Sequence, residues 1–170
     1  MSRNIILYII FFLCWQTALG VCPVSTVQPV KKIKEQIEKQ MEPILEYTLF
    51  MQTPTGFVIS FDNNIIFDEF NEINLTGKLI LIQMAQIIKN SGYKWQIYSH
   101  CGKQNSELAG IILTTEQAVK ITNFLTEKEN CLLHQIVPIG FGSIMPVKKD
   151  GIKQSPDRTD FIVENFEFNR

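Results

Sequence analysis

The sequence predicts a small α+β sandwich in which two helices pack on one face of a mixed sheet, preceded by a leader and a linker helix. Three observations predict it. Short apolar runs of strand length are bounded by turn residues, two longer segments carry apolar residues at helical spacing, and the two kinds alternate in the order β(β)αβαββ.

The globular part starts near Thr53, so the chain divides into 1–20, 21–52 and 53–170. Phe57, Ile59 and Phe61 alternate with smaller or polar residues, Asp62-Asn63-Asn64 breaks the run, and Ile65-Ile66-Phe67 reads as a short second strand. Asn74 is placed to cap a helix with the stripe Leu81, Met84, Ala85 and Ile88, ending at Asn90-Ser91-Gly92. Trp95, Ile97 and Tyr98 form the next strand. A polar, Gly-containing stretch over 103–112 leads into a second helix, from about Thr114 to Glu127, with Thr114 or Thr115 as its cap. The apolar face of that helix is Ala118, Ile121, Phe124 and Leu125. Ile136 to Ile139 is a strand, Gly140-Phe141-Gly142 is a turn, a loop runs to Arg158, and Phe161-Ile162-Val163 is the last strand. No internal repeat or low-complexity tract interrupts this order.

The first twenty residues read as an export leader. Arg3 gives a positive n-region, Ile5 to Trp15 is an unbroken apolar run, and Ala18-Leu19-Gly20 supplies the small residues that a signal peptidase reads. The run is shorter than the ~20 residues needed to cross a hydrocarbon core. Residues 21–30, with Pro23, Ser25, Thr26 and Pro29, read as a tether. From Lys31 to Leu45 the positions Ile33, Ile37, Met41, Ile44 and Leu45 form a helical stripe broken near its end by Pro43. That stripe suits either packing on the domain or contact with a partner.

The formal charge is −1, and loss of a leader containing Arg3 and no acid makes it −2. No run of like charge exceeds Lys31-Lys32 or Lys148-Lys149, which excludes a basic nucleic-acid stripe and a polybasic membrane patch. The four cysteines are Cys14, Cys22, Cys101 and Cys131. Leu19-Gly20-Val21-Cys22 is similar to a bacterial lipobox with Val21 at a position usually held by a small residue. Cleavage after Gly20 leaves a free Val21. Cleavage after Val21 leaves a lipidated Cys22, with Cys101 and Cys131 remaining as a pair able to form a disulfide. Pro23 at the next position makes the periplasm-facing outer membrane the address of the lipidated form, and the soluble periplasm the address of the other. His100 and Cys101 with Cys131 and His134 are zinc-ligand types, but an adjacent His-Cys pair has poor bite, so no metal site is assigned.

No nucleophile elbow, phosphate loop, zinc-protease helix or dinucleotide fingerprint is present, and no cofactor is implied. A hydrolase built on His100, Cys101 and Glu116 is disfavoured because adjacent strand residues point to opposite faces. No catalytic residue is assigned.

Taken in order, several short motifs resemble the peptidoglycan-associating C-terminal domain shared by OmpA, Pal and MotB. Ile65-Ile66-Phe67-Asp68 resembles its opening strand end, and Leu75 to Lys89, with Gly77-Lys78, its first helix. Ile97-Tyr98-Ser99-His100 resembles the strand ending in G-H-T-D, and Leu113-Thr114 with Ala118 the start of the L-S-x-x-R-A helix. Gly140-Phe141-Gly142 with Pro146 resembles G-Y-G-x-x-x-P, and Arg158 stands where N-R-R precedes the last strand. The likeness spans 54–168. The size and layout also resemble envelope lipoproteins of the IcmN/DotK type in type IVB secretion systems.

In that family an Asp and an Arg hold the amine and carboxylate of a diaminopimelate residue in the peptide stem, a pairing suited to charge-assisted and bidentate hydrogen bonds. The resemblance places Gly102 at the Asp position and Gln117 at the Arg position. Losing one such charged partner costs on the order of 2–5 kcal/mol of binding. The resemblance therefore implies either peptidoglycan contact through Gln117, His100, Lys103 and Arg158, or a domain kept as a scaffold for other envelope or secretion-apparatus proteins. The second is the expectation.

Overall fold

The computed structural model describes residue 35 and residues 37–53, 56–144, 148–149, 152–153 and 155–164. The leader, the tether with Cys22, and Pro146 lie outside the described residues. Residues 37–40 are helical, and Pro43 ends that helix by opening a 3-10 turn, Glu42–Tyr47.

A five-stranded mixed sheet follows. Its strands are β1 (Thr48–Thr53), β2 (Gly56–Asp62), β3 (Trp95–His100), β4 (Ile136–Gly140) and β7 (Arg158–Glu164), in the order β1-β2-β7-β3-β4. β3 and β4 are parallel and the other pairings are antiparallel. Helices α1 (Leu75–Ser91) and α2 (Glu107–Asn123) carry the two crossovers, from β2 to β3 and from β3 to β4. Because β7 inserts between β2 and β3, the first crossover is a split βαβ unit. A two-stranded ribbon, β5 (Lys148–Lys149) with β6 (Ile152–Lys153), lies within the long connection to β7.

The expected α+β sandwich is the observed one. Strand periodicity explains the core: Phe57, Ile59 and Phe61 on β2, Trp95 and Ile97 on β3, and Phe161 and Val163 on β7 all bury toward the helices. They meet Ile80, Leu81, Met84, Ala85, Ile87 and Ile88 of α1 and Ile121 of α2. Burying each large side chain stabilises by roughly 1.5–3 kcal/mol. Asn74 caps α1, its Oδ1 accepting from Gly77 N at 2.8 Å, and Gly92 at φ +67° ends it.

Three elements differ from expectation. The sheet starts at Thr48, ahead of Thr53, and Ile37, Met41 and Ile44 join the core, so the linker stripe packs on its own domain. Ile65-Ile66-Phe67 is no strand: Asn63–Ile66 is one helical turn capped by Asp62, and Phe67 makes an isolated bridge to Ile73. The Asp62 carboxylate accepts from Asn64 N at 3.0 Å, which turns the chain before a strand can begin.

The third difference is at α2, which starts at Glu107 and is capped by Ser106, its Oγ accepting from Ala109 N at 3.1 Å. Thr114 lies within the helix. Its hydroxyl donates to Gly110 O at 2.9 Å and accepts from Gly142 N at 2.9 Å, tying α2 to the turn after β4. The helix continues as a π-helical turn, Phe124–Lys128.

The edge strand β4 carries Pro138. Phe141 N donates to Ser99 O, so by alternation the nitrogen of residue 138 faces away from β3, where the missing donor costs nothing and blunts the edge. Gly140 lets α2 sit directly on this strand, since a Cβ there would stand 2.3 Å from Thr115 N. Gly140→Ala therefore forces backbone apart, and the unfolding free energy from urea titration is expected to fall by about 1–3 kcal/mol.

Candidate functional site

Of the residues expected to contact a ligand, His100 ends β3, Gly102 and Lys103 follow it, Arg158 opens β7 and Gln117 lies within α2, and they do not share one cleft. Ser99 and Thr159 face the helices, so their neighbours His100 and Arg158 face the opposite side of the sheet, while Gln117 stands on the helix side.

Gln117 is buried and engaged at both ends. Its Oε1 accepts from Ser99 Oγ at 2.8 Å and Asn63 Nδ2 at 3.2 Å, and its Nε2 donates to Asn71 Oδ1 at 2.9 Å. Asn71 adopts φ +60°, a conformation asparagine tolerates better than most residues. Lys120, one turn along α2, locks the same loop by donating to Asn71 O and Glu72 Oε1, each at 2.7 Å, and it also pairs with Glu116 at 2.9 Å. The hydrogen bond that Lys120 donates to Glu72 is the main cause that pushes its ammonium up from the usual range. The loop is thus fastened over Gln117, which faces no open surface.

Position 102 is filled from elsewhere. Gly102 N donates to Asp157 Oδ1 at 2.8 Å, and a Cβ on Gly102 would stand 3.3 Å from Asp157 Oδ2. An acid at 102 would therefore meet a like charge at contact distance. Asp157 also accepts from Asn63 N through its carbonyl at 3.0 Å.

His100 and Arg158 belong to a buried charged cluster on the second face. Cross-strand register sets Arg158 opposite His100 and Asp160 opposite Ser60. Asp160 accepts from Ser60 Oγ at 2.6 Å and Arg158 Nε at 3.1 Å. His100 Nε2 lies 3.2 Å from Asp160 Oδ2, within ion-pair distance but out of hydrogen-bond alignment. The imidazole stacks on Phe141 with centroids 5.3 Å apart. Burial pushes the Asp160 carboxyl up, but the adjoining His100, the Arg158 charge and the Ser60 hydroxyl outweigh it and hold the group below the usual carboxylate range.

Cys101 and Cys131 are free, buried thiols, so the structure does not form the disulfide considered from the cysteine count. Cys101 Sγ lies 3.8 Å from Gly110 O on α2, and Cys131 Sγ lies 3.7 Å from Ala85 O on α1. The fold thus seats them against different helices. Burial is the first cause pushing both thiols up, which opposes thiolate formation. The Cys101 thiol and the His100 imidazole face opposite sides of the sheet, so no nucleophile and base are paired here.

Sequence reasoning missed Asn63, Asn71, Asp157 and Asp160. Asn63 was legible only as a turn residue. Asp157, between Pro156 and Arg158, carried no signal at all, because its partner lies fifty-five positions away.

Comparison with solved structures completes the picture. The periplasmic domain of Helicobacter pylori MotB aligns at a TM-score of 0.59 with 14% identity, covering 73% of this chain and 83% of that one. The OmpA-like domain of FopA1 from Francisella tularensis aligns at 0.51 with 15% identity, covering 67% and 77%. The described domain has the OmpA-like fold. The cell wall anchor of the T6SS from Pseudomonas aeruginosa shares it at a TM-score of 0.58 with 10% identity, covering 80% of this chain and 96% of that one. Neither a protein-family model nor a curated protein matches the sequence. At these identities the likeness is one of fold, and the anchor positions of this OmpA-like domain must be judged on their own geometry.

The depressed Asp160 carboxyl fixes a sign for acid stability. A group with a lowered folded pKa contributes stability above its unfolded value, near 3.9, and that contribution is lost as pH falls through the folded value. Urea midpoints measured from pH 7 down to about 2 should drop below about pH 4. An Asp160→Asn variant should start lower at pH 7 and lose less of its midpoint over that interval.

Proposed function

We propose that this chain is a non-catalytic structural protein of the cell envelope, whose OmpA-like domain serves as a scaffold for contacts with other proteins of an envelope-spanning assembly. One observation carries the reading: the two positions where the family grips its ligand are satisfied from within. Gln117 is spent on Ser99, Asn63 and Asn71, and the space beside Gly102 is held by Asp157. Without a cation at 117, a zwitterionic stem peptide loses the partner for its carboxylate, and on the order of 2–5 kcal/mol of binding with it.

Residues 1–20 act as a signal peptide and the residues after them as a tether into the domain, whose packed stripe begins at Ile37 and whose sheet begins at Thr48, with the mature protein held by a lipid on Cys22 at the periplasmic side of the outer membrane. The assembly is a secretion system, of the kind served by IcmN/DotK-type lipoproteins. The cell wall anchor of the T6SS from Pseudomonas aeruginosa, which shares this fold, supports a place for it in such machines.

A second reading, a peptidoglycan tether, draws on Asp157, whose carboxylate stands where position 102 lacks one and could receive an ammonium group. Sedimentation of the purified protein with isolated sacculi separates the two. The scaffold reading expects no more protein in the pellet than an albumin control, and co-sedimentation abolished by Asp157→Ala would establish the tether instead. Mass spectrometry of the mature N-terminus should give a diacylglyceryl-modified Cys22, whereas an unmodified start at Val21 eliminates the lipid anchor.

A further inference from the structure

The sequence contains one Asn-x-Ser/Thr triplet, Asn74-Leu75-Thr76, the acceptor form for glycosylation of an asparagine side chain. Glu72, two residues ahead with its side chain 66% exposed, adds the acid that the bacterial form of this motif carries. The triplet opens α1, and the cap by itself accounts for Asn74. It does not account for Thr76, whose hydroxyl makes no hydrogen bond among the described residues. The partly exposed Asn74 side chain is also used at one end only. Its Oδ1 accepts from Gly77 N at 2.8 Å, whereas Nδ2, the atom a saccharide would take, donates to nothing among the described residues. Asn74 has φ −77° and ψ 179°, so the chain arrives extended and turns into the helix only after it. Leu75, the next residue, is 79% exposed, which leaves open space beside the acceptor.

We propose that Asn74 is a site of N-linked glycosylation, its donor an oligosaccharide joined through a diphosphate to a polyprenol. Nδ2 attacks the anomeric carbon, and the N–C bond forms as the C–O bond to the diphosphate breaks. The lipid diphosphate leaves with the electron pair, the amide gives up one proton, and nothing is oxidised or reduced. The product keeps Oδ1, so the bond from Gly77 N survives and the modified residue still caps α1. Transfer to the exported chain before α1 forms requires no unwinding of its first turn. The saccharide then stands three residues beyond Asn71, at the foot of the loop that covers Gln117. The proposal rests on the export reading above and assigns a modification to the envelope form of the chain.

The test is mass spectrometry of the full chain purified from envelopes of its native cells, reading the N-terminus and the peptide that contains Asn74 together. A leader-free chain with a saccharide on Asn74 is expected. Thr76→Ala should abolish the added mass and Thr76→Ser should retain it, while both keep the Asn74 cap. Asn74→Asp, which caps a helix about as well but lacks the amide nitrogen, should abolish it too. The far-UV circular dichroism of all three variants should match wild type, which separates loss of the acceptor from loss of the fold. A leader-free chain with a bare Asn74, or added mass that persists in Thr76→Ala or Asn74→Asp, overturns the proposal and leaves export standing. A retained leader with a bare Asn74 sinks the export reading and the modification together.

Discussion

The buried side chain of Asn63 is the joint on which this domain turns. It stands where β2 passes into a single helical turn, donates to His100 O at 3.1 Å and to Gln117 Oε1 at 3.2 Å, and accepts from Thr159 Oγ1 at 2.7 Å. Its backbone N–H adds the bond to Asp157 O. One amide therefore links the ends of β2 and β3, the start of β7 and the middle of α2. A buried amide left without partners costs about 1–3 kcal/mol per group, so each of these four elements is held to its place by the penalty of leaving the knot undone.

That constraint governs what the positions around it can be. Gln117 has the length and the two-ended polarity to extend the knot from Asn63 and Ser99 to Asn71, where a guanidinium would bring a charge and no acceptor. Once Gln117 closes on Asn71, the loop from Asp68 to Glu72 lies over it, and Lys120 fastens that loop with charge-assisted bonds. Asp157 completes the other side at Gly102. These polar residues are spent on the domain's own elements.

The second face of the sheet follows a different rule. Ser60, Asp160, Arg158 and His100 form a charged cluster that is buried almost as deeply as the apolar core, with Arg158 only 2% exposed. A buried ion pair of this kind roughly breaks even in stability against an apolar replacement, but removing one partner is costly. It selects one register of β2, β7 and β3, because a slip of β7 by one residue would carry Arg158 and Asp160 to the helix side, away from Ser60 and His100.

By itself the sequence determined the strand and helix periodicities, the cap at Asn74, the stop at Gly92 and the order of motifs that resembles the OmpA, Pal and MotB domain. These are local signals, written within a few residues of the structure they specify. The resemblance sets Gly102 and Gln117 where that family carries a charged pair. Only the tertiary structure decided what surrounds them. The Asp157 carboxylate beside Gly102 and the Asn71 amide on Gln117 come from positions fifty-five and forty-six residues away. It likewise turned Ile65-Ile66-Phe67 from a strand into a helical turn, through the Asp62 cap and the Asn63 knot. It also moved the start of α2 back to Ser106, where Gly110 had masked a helix that packs against Cys101. A polar residue's role depends on which partner the fold brings within about 3 Å, and spacing along the chain does not encode that distance.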